Sequence, residues 1–227
     1  MSKFIKQTRK TLGQPPGTLV HVGEIYEQQT MLSRIEYNAE RIAESSPDPA
    51  SALVHGLPDS VLWLLASNPA AARNLQKEAA GRGIEPRRLI FAPKLPLDRH
   101  LGRMAAADLF LDTLPYNAHT TSSDALWVGL PVLTCAGATF ASRVAGSLLH
   151  AIGLPELVTE SMDQYERLAL RLAREPAHLD SLRQRLRQNR STAMLFDTER
   201  FTRGLESAYL RMWSSFLAGV DPGPIEL

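Results

Sequence analysis

Short, continuous apolar runs recur along the chain from residue 60 onwards, and a proline or a polar residue closes most of them. SVLWLLA occupies 60–66, RLIFA 88–92, DLFLD 108–112, PVLTC 131–135 and LPELVT 154–159. Runs of this length without polar alternation are typical of strands that are covered on both faces. Since helical stretches separate them, the pattern predicts an α/β fold, a parallel sheet with helices on both faces.

Between and after these runs, apolar residues recur every three or four positions, which predicts helices. Pro69 opens one helix that Gly81 and Gly83 end, and others are expected at about 98–107 and at Met162–Arg174. Asp197 is expected to cap a long last helix. The apolar stripe of that helix is suited to core packing and consists of Phe201, Leu205, Tyr209, Trp213 and Phe216.

The first 56 residues follow the pattern less clearly. TLVHVGEIY at 18–26 has the composition of a strand, and 27–44 has helical spacing at Met31, Ile35 and Ile42. Two explanations are open: a divergent extension that packs on the sheet, or a sequence joined in by truncation or a shifted reading frame, which need not fold well. The second is our hypothesis. We therefore divide the chain into 1–56, 57–219 and a tail at 220–227 that is expected to be disordered.

Hydroxyl and amide groups gather directly after the strand at 108–112. The segment YNAHTTSSDALW follows at 116–127 and opens a helix, with His119 just before Thr120, Thr121 and Asp124. Free N–H groups at a helix start suit an anion, and ligands of open α/β sheets bind beyond the carboxyl ends of the strands. For any single Ser or Thr, N-capping beside a satisfied histidine is the better explanation. The cluster as a whole favours an anion site such as one for a pyrophosphate.

Three further residues are weaker candidates for ligand contact. His100 and Arg103 lie three residues apart and share a helix face, which is equally consistent with a solvated surface. Arg143 lies near a helix start, where a cation is disfavoured unless an anion is close, and a surface arginine is the better explanation. Asp108 and Asp112 flank one strand, and each is interpreted as a strand-end residue.

Composition and charge argue against several classes of partner and of covalent or membrane-bound structure. The formal charge is +1, so neither nucleic acid nor an anionic membrane is an expected partner, and the basic helix at 178–191 is interpreted as solvated. The sequence has no apolar run long enough to span a membrane and no secretory signal. Cys135 is the only cysteine, which excludes an intramolecular disulfide and favours the cytoplasm. Its apolar setting indicates a buried thiol.

Motifs in order along the chain resemble the donor-binding half of the O-linked N-acetylglucosamine transferases. They are PDSVLWLL at 58–65, RLIFAP at 88–93, the spacing of His100 and Arg103, LDT at 111–113, NAHTTSSDALWVGLPVLT at 117–134, TFASRVAGSLL at 139–149 and AYLRMW at 208–213. The resemblance implies the C-terminal half of a two-domain GT-B glycosyltransferase with Rossmann-like halves. It also implies that 57–219 bind the nucleotide of UDP-N-acetylglucosamine.

The resemblance also assigns roles to residues. His119, Thr120 and Thr121 would contact the pyrophosphate, and Asp124 the ribose. His100 and Arg103 would lie by the uridine, together with the backbone at 93–95. No metal or other cofactor is expected, and UDP-N-acetylglucosamine would be the donor substrate.

Three departures from the family pattern qualify this interpretation. Leu97 stands where many relatives have a lysine, and no counterpart of the family's phenylalanine-asparagine-lysine segment occurs within 1–56. The N-terminal catalytic half and its repeats are expected to be absent.

The expected function is transfer of N-acetylglucosamine to Ser or Thr hydroxyls of proteins with inversion, incomplete in the lone chain. Its expected partners are an acceptor protein or a missing N-terminal half. The alternative is a non-catalytic remnant or interaction domain that retains the fold. A weaker option is another sugar-nucleotide enzyme such as an epimerase.

Overall fold

The structure is a computed structural model that describes residues 19–22, 56–66, 68–223 and 225. Six parallel strands form its sheet in the order β3-β2-β1-β4-β5-β6. Their bounds are β1 Leu19–Val22, β2 Ser60–Leu65, β3 Leu89–Ala92, β4 Leu109–Leu111, β5 Val132–Cys135 and β6 Val158–Thr159. This order is that of a doubly wound Rossmann sheet, as the apolar runs and the resemblance predict.

The strand β1 lies in the middle of this sheet. It pairs with β2 from Leu19 opposite Ser60 to Val22 opposite Trp63, and with β4 through His21 opposite Leu109. The strand expected at 18–26 is therefore present, and it lies within the sheet rather than on it. The division of the chain at residue 57 stays a prediction, although β1 comes from the residues before it. The helix expected at 27–44 lies outside the described residues.

Seven α-helices occur in the described part of the chain. They are α1 Pro69–Gly81, α2 Leu97–Met104, α3 Thr120–Trp127, α4 Val144–Ala151, α5 Met162–Arg174, α6 Pro176–Asn189 and α7 Thr198–Leu217. Helix α2 ends three residues earlier than expected. There Ala106 and Ala107 donate to Arg103 and Met104 in tight turns that lead directly into β4.

Local sequence sets several of the helix ends. The Asn68 side chain accepts from the Ala71 N–H at 2.7 Å and caps α1, and Ser161 caps α5 through the Gln164 N–H. Helix α4 stops at Gly153, whose φ of 78° is the left-handed conformation that glycine adopts most easily. These caps explain why the helices expected from the pattern lie close to where the structure has them.

The main core joins the C-terminal half of the sheet to the helices that follow it. Phe110, Val132 and Leu133 from β4 and β5 are fully buried, as are Leu149 of α4 and Leu172 of α5. Each fully buried side chain of this size stabilises the fold by roughly 2 kcal/mol relative to an exposed one. The strand ends that carry the polar loops are therefore held by a rigid, well-packed layer.

The apolar stripe of helix α7 is suited by its spacing to core packing, but it is not buried by the described residues. None of its residues is buried, and Trp213 and Phe216 are 59% and 71% exposed. The Asp197 side chain does cap the helix, accepting from the Arg200 N–H at 2.9 Å. Among the described elements, the short 3₁₀ turn Met194–Phe196 is the one with extensive contact to this helix.

The basic helix α6 is bound to the domain by its arginines. Arg183 pairs with Asp108 at 3.0 Å and donates to the Ala107 carbonyl, and Arg185 pairs with Glu156. Arg190 lies over the Trp127 ring at 5.2 Å. Since Leu179, Leu182 and Leu186 are buried beneath it, α6 is a packed helix whose basic groups serve the fold.

Candidate functional site

The polar residues expected to bind a ligand lie beyond the carboxyl ends of β3 and β4. The loop at 112–119 leaves β4 and ends at His119, directly before α3, while α2 follows β3 and packs beside α3. Loops at this edge of a parallel sheet are where open α/β folds bind ligands.

The start of α3 has no side-chain cap. Its first intrahelical bond runs from the Ser123 N–H to the His119 carbonyl at 3.1 Å, so the N–H groups of Thr120, Thr121 and Ser122 precede the helical ladder. Thr120 is exposed, whereas Thr121 is only 6% exposed. Thr120 can therefore offer a hydroxyl as well as its N–H, and the buried Thr121 offers mainly its backbone.

His119 is held between two aromatic rings at the rim of this site. Its ring stacks on Tyr116 with centroids 4.6 Å apart, and Phe140 meets it edge-on at 6.3 Å. Its Nε2 lies 3.3 Å from the Ala141 carbonyl, to which the Asn117 N–H also donates at 2.9 Å. The loops on either side of His119 are thus tied together, and the imidazole is fixed beside the helix start.

His100 and Arg103 are brought together on one face of α2. Arg103 Nη2 donates to His100 Nδ1 at 3.1 Å, and Nη1 donates to the Pro93 carbonyl at 2.7 Å. The guanidinium also lies 5.5 Å from the centre of the Trp63 ring. Arg103 is therefore engaged with the protein on several sides, and His100 is the member of the pair whose remaining nitrogen can face a ligand.

Burial lowers the pKa of His100, the charge of Arg103 lowers it further, and the charge of Asp124 opposes both. His100 is consequently neutral at pH 7, with Nδ1 accepting from Arg103 and the proton on Nε2. The influence of Asp124 also shows that the second turn of α3 lies close to α2. Thr120 and Asp124 are four residues apart and share a face of α3.

Two other positions considered in the sequence are exposed to solvent. Arg143, the lesser candidate, is exposed at the start of α4. Leu97 is 63% exposed at the first position of α2. Among the described residues, no group of three or more His, Cys, Asp or Glu side chains could hold a metal ion.

The sequence patterns missed the role of Asp112. Its carboxylate lies beneath the loop at 112–119, accepting from the Ala118 N–H at 2.6 Å and from the Thr134 hydroxyl at 2.5 Å. Burial raises the pKa of Asp112 to about 6, while hydrogen bonds from Ala118, Thr134 and Thr113 favour the ionised form. The one signal in the sequence that could have indicated this role is the position of an acidic residue directly after a buried strand and before a loop rich in hydrogen-bond donors.

Comparison with known proteins identifies the family. The sequence profile of glycosyl transferase family 41 matches residues 48–205. The chain belongs to this family. It is 38% identical over 167 residues to the probable UDP-N-acetylglucosamine–peptide N-acetylglucosaminyltransferase SEC of Arabidopsis thaliana, an alignment that covers 73% of this chain and 17% of the plant protein. The corresponding enzyme of Caenorhabditis elegans is 33% identical, with 79% of this chain and 16% of the worm protein covered.

Solved structures give the same family and fold. A Thermobaculum terrenum O-GlcNAc transferase mutant matches with a TM-score of 0.73 and 33% identity, covering 89% of this chain and 38% of the bacterial protein. The lipopolysaccharide glycosyltransferase WaaG matches with a TM-score of 0.62 over 86% of this chain and 49% of its own; at 16% identity it shows the fold alone. This family 41 chain thus has the fold of the C-terminal half of a GT-B glycosyltransferase, as the resemblance implied. It spans less than a fifth of the length of the curated relatives named here.

No helix in the described part of this family 41 chain combines the length and apolar character needed to cross a membrane. The expected placement of His100, Arg103, His119, Thr120, Thr121 and Asp124 against the parts of a nucleotide stays a prediction.

Proposed function

We propose that this chain is the donor-binding half of an enzyme that transfers N-acetylglucosamine from UDP-N-acetylglucosamine to Ser or Thr hydroxyls of proteins, with inversion. The observation that carries the proposal is the uncapped start of α3 beside the fixed His119 ring, at the carboxyl edge of a parallel sheet. Free N–H groups and the positive end of the helix dipole favour a diphosphate there.

Each part of the nucleotide has a matching group. The N–H groups of Thr120 and Thr121, the Thr120 hydroxyl and His119 would hold the diphosphate, and the Asp124 carboxylate would accept from the ribose hydroxyls. His100 would lie at the base, with Arg103 fixing its orientation. When the sugar leaves, negative charge grows on the departing UDP, and donors already oriented toward it stabilise that transition state.

No metal is required in this scheme, because helix N–H groups and His119 supply the positive field that a cation would otherwise provide. Chelation of divalent cations should therefore leave UDP binding unchanged. An N-terminal half and an acceptor protein would be the partners, and neither nucleic acid nor membrane takes part. The single cysteine favours a cytoplasmic location.

Calorimetric titration with UDP tests the site. His119→Ala and Thr120→Ala should each weaken UDP binding by about tenfold, since each removes a hydrogen bond to a charged group. Matched controls are His150→Ala, at the far end of α4, and Thr202→Ala on α7, both exposed in the structure. Equal affinity in all four variants and the unchanged chain would refute the site.

The second candidate, a non-catalytic interaction domain, has one observation in its favour: the exposed apolar stripe of α7. Transfer of labelled sugar from the donor to a peptide distinguishes the two functions. The lone chain should show little transfer, and adding a catalytic N-terminal half should restore it. UDP binding without transfer under both conditions would favour the interaction domain.

A further inference from the structure

Asp112 is fixed at the end of β4 by its own backbone. Its N–H donates to the Leu133 carbonyl of β5 at 3.0 Å, and its carbonyl accepts from the Tyr165 hydroxyl of α5 at 2.9 Å. Tyr165 is itself buried, with 3% of its surface exposed. The position of the Asp112 Cα is therefore set by the sheet and by a packed helix, independently of the loop that follows.

The carboxylate of Asp112 connects this fixed strand end to the far end of the loop and to β5. Its Oδ1 accepts from the Ala118 N–H at 2.6 Å, six residues further along the chain, and its Oδ2 accepts from the Thr134 hydroxyl at 2.5 Å. Asp112 is only 5% exposed, so water competes little for these bonds. A hydrogen bond from a backbone N–H to a buried carboxylate is about twice as strong as one between neutral groups.

The loop is also anchored by its own side chains. Leu114 packs against the core and Asn117 and Ala118 are buried, whereas the exposed residues of the loop are Thr113, Pro115 and Tyr116. Ala118 directly precedes His119, the residue before α3. The Asp112 bond thus joins the end of β4 directly to the peptide that leads into this helix.

We propose that Asp112 is a positioning residue of the donor site, holding the Ala118 N–H so that His119 and the first N–H groups of α3 face the diphosphate. The proposal rests on the proposed function. Asp112 does not touch the ligand; it acts through the peptide that ends the loop.

The test compares variants that remove the acceptor of the Ala118 N–H with variants that keep it. Asp112→Leu keeps the branched shape but removes the acceptor, and Asp112→Ala removes both. Asp112→Asn retains an oxygen for the Ala118 N–H. Thr134→Val removes the other partner of the same carboxylate and leaves the Ala118 bond intact.

Two measurements are made on each full-length variant: UDP affinity by calorimetry and the exchange rate of the Ala118 amide by hydrogen-exchange NMR. Asp112→Leu and Asp112→Ala should bind UDP about tenfold more weakly and exchange the Ala118 amide at least tenfold faster. Asp112→Asn and Thr134→Val should stay within about threefold of the unchanged chain in both. A general loosening of the structure around Asp112 would instead weaken UDP binding in Thr134→Val as well. In that case Asp112→Asn would bind UDP as weakly as Asp112→Leu and Asp112→Ala.

The outcomes separate this proposal from the proposed function. If the unchanged chain does not bind UDP, the proposed function fails, and amide exchange still decides whether Asp112 holds Ala118. An unprotected Ala118 amide in the unchanged chain overturns the positioning role, even where neither apolar variant folds. UDP binding that is equal in Asp112→Leu and Asp112→Asn also overturns it.

Discussion

At the scale of single residues, Arg103 shows how a cation near the proposed nucleotide site can serve the protein itself. Its guanidinium contacts the Trp63 ring, the Pro93 carbonyl and His100 Nδ1 at once. The planar fork of arginine can make these contacts together, whereas a lysine ammonium could not. Arg103 therefore sets which nitrogen of His100 carries the proton.

Removing the charge of Arg103 should raise the pKa of His100. Arg103 is the second cause of the lowering, after burial, so the pKa of His100 in Arg103→Met should move toward its ordinary value without passing far beyond it. NMR titration of the His100 ring protons measures this. Arg99→Met, an exposed position on the same helix, is the control and should leave the titration unchanged; an equal shift in both variants would contradict the contact.

The buried carboxylate of Asp112 makes stability depend on pH. Its folded pKa of about 6 lies above the ordinary value of 3.8, so the folded state favours the protonated form. The stabilisation is complete below about pH 3.8 and is lost as the pH rises through about 6. Between pH 7.5 and pH 5 the free energy of unfolding should therefore rise by roughly 1 kcal/mol more in the unchanged chain than in Asp112→Asn.

Urea unfolding at the two pH values checks this prediction, with Thr134→Val as a second reference that keeps the carboxylate. Identical pH dependence in the unchanged chain and Asp112→Asn would show that another group dominates.

At the scale of elements, the apolar runs predicted β2 to β6 and most helices, because each strand and helix carries its own period and caps. The anion site at the start of α3 was predicted from the same local signals, since His119 and Thr120 directly precede or open the helix, and it stays a prediction. What the sequence could not show were contacts between distant elements. The bond from Asp112 to Ala118 depends on loop geometry, and the position of Arg103 on Trp63 joins residues from α2 and β2.

Helix α6 gives a prediction about a contact between distant elements. The sequence alone indicated that its arginines are solvated. Arg183 and Asp108 are largely buried, with side-chain exposures of 19% and 9%. Arg183→Met should lower the free energy of unfolding by roughly 3 kcal/mol, since it removes the cation from a buried carboxylate. Arg187→Met, exposed on the same helix, should change it by less than about 0.5 kcal/mol. Chemical denaturation measures both, and similar losses would show that the buried pair adds nothing specific.

At the scale of the whole molecule, the apolar stripe of α7 is exposed, and this helix therefore contributes little to the stability of the core. Trp213→Ala and Phe216→Ala should each change the free energy of unfolding by less than about 0.5 kcal/mol. Phe110→Ala, at a residue with no exposed surface, should cost about 4 kcal/mol. Thermal or urea unfolding gives all three values, and a large loss for Trp213→Ala would mean that the stripe packs in solution.

Because β1 lies in the middle of the sheet, removing the residues before 57 would affect the whole sheet. β1 joins the pair β2 and β3 to the group β4, β5 and β6. A protein shortened to begin at residue 57 would have two half-sheets whose facing edges present unpaired backbone donors and acceptors. Such edges recruit strands from other molecules, so the shortened protein would be expected to aggregate. A shortened version of this domain that is meant to fold should therefore retain Leu19–Val22.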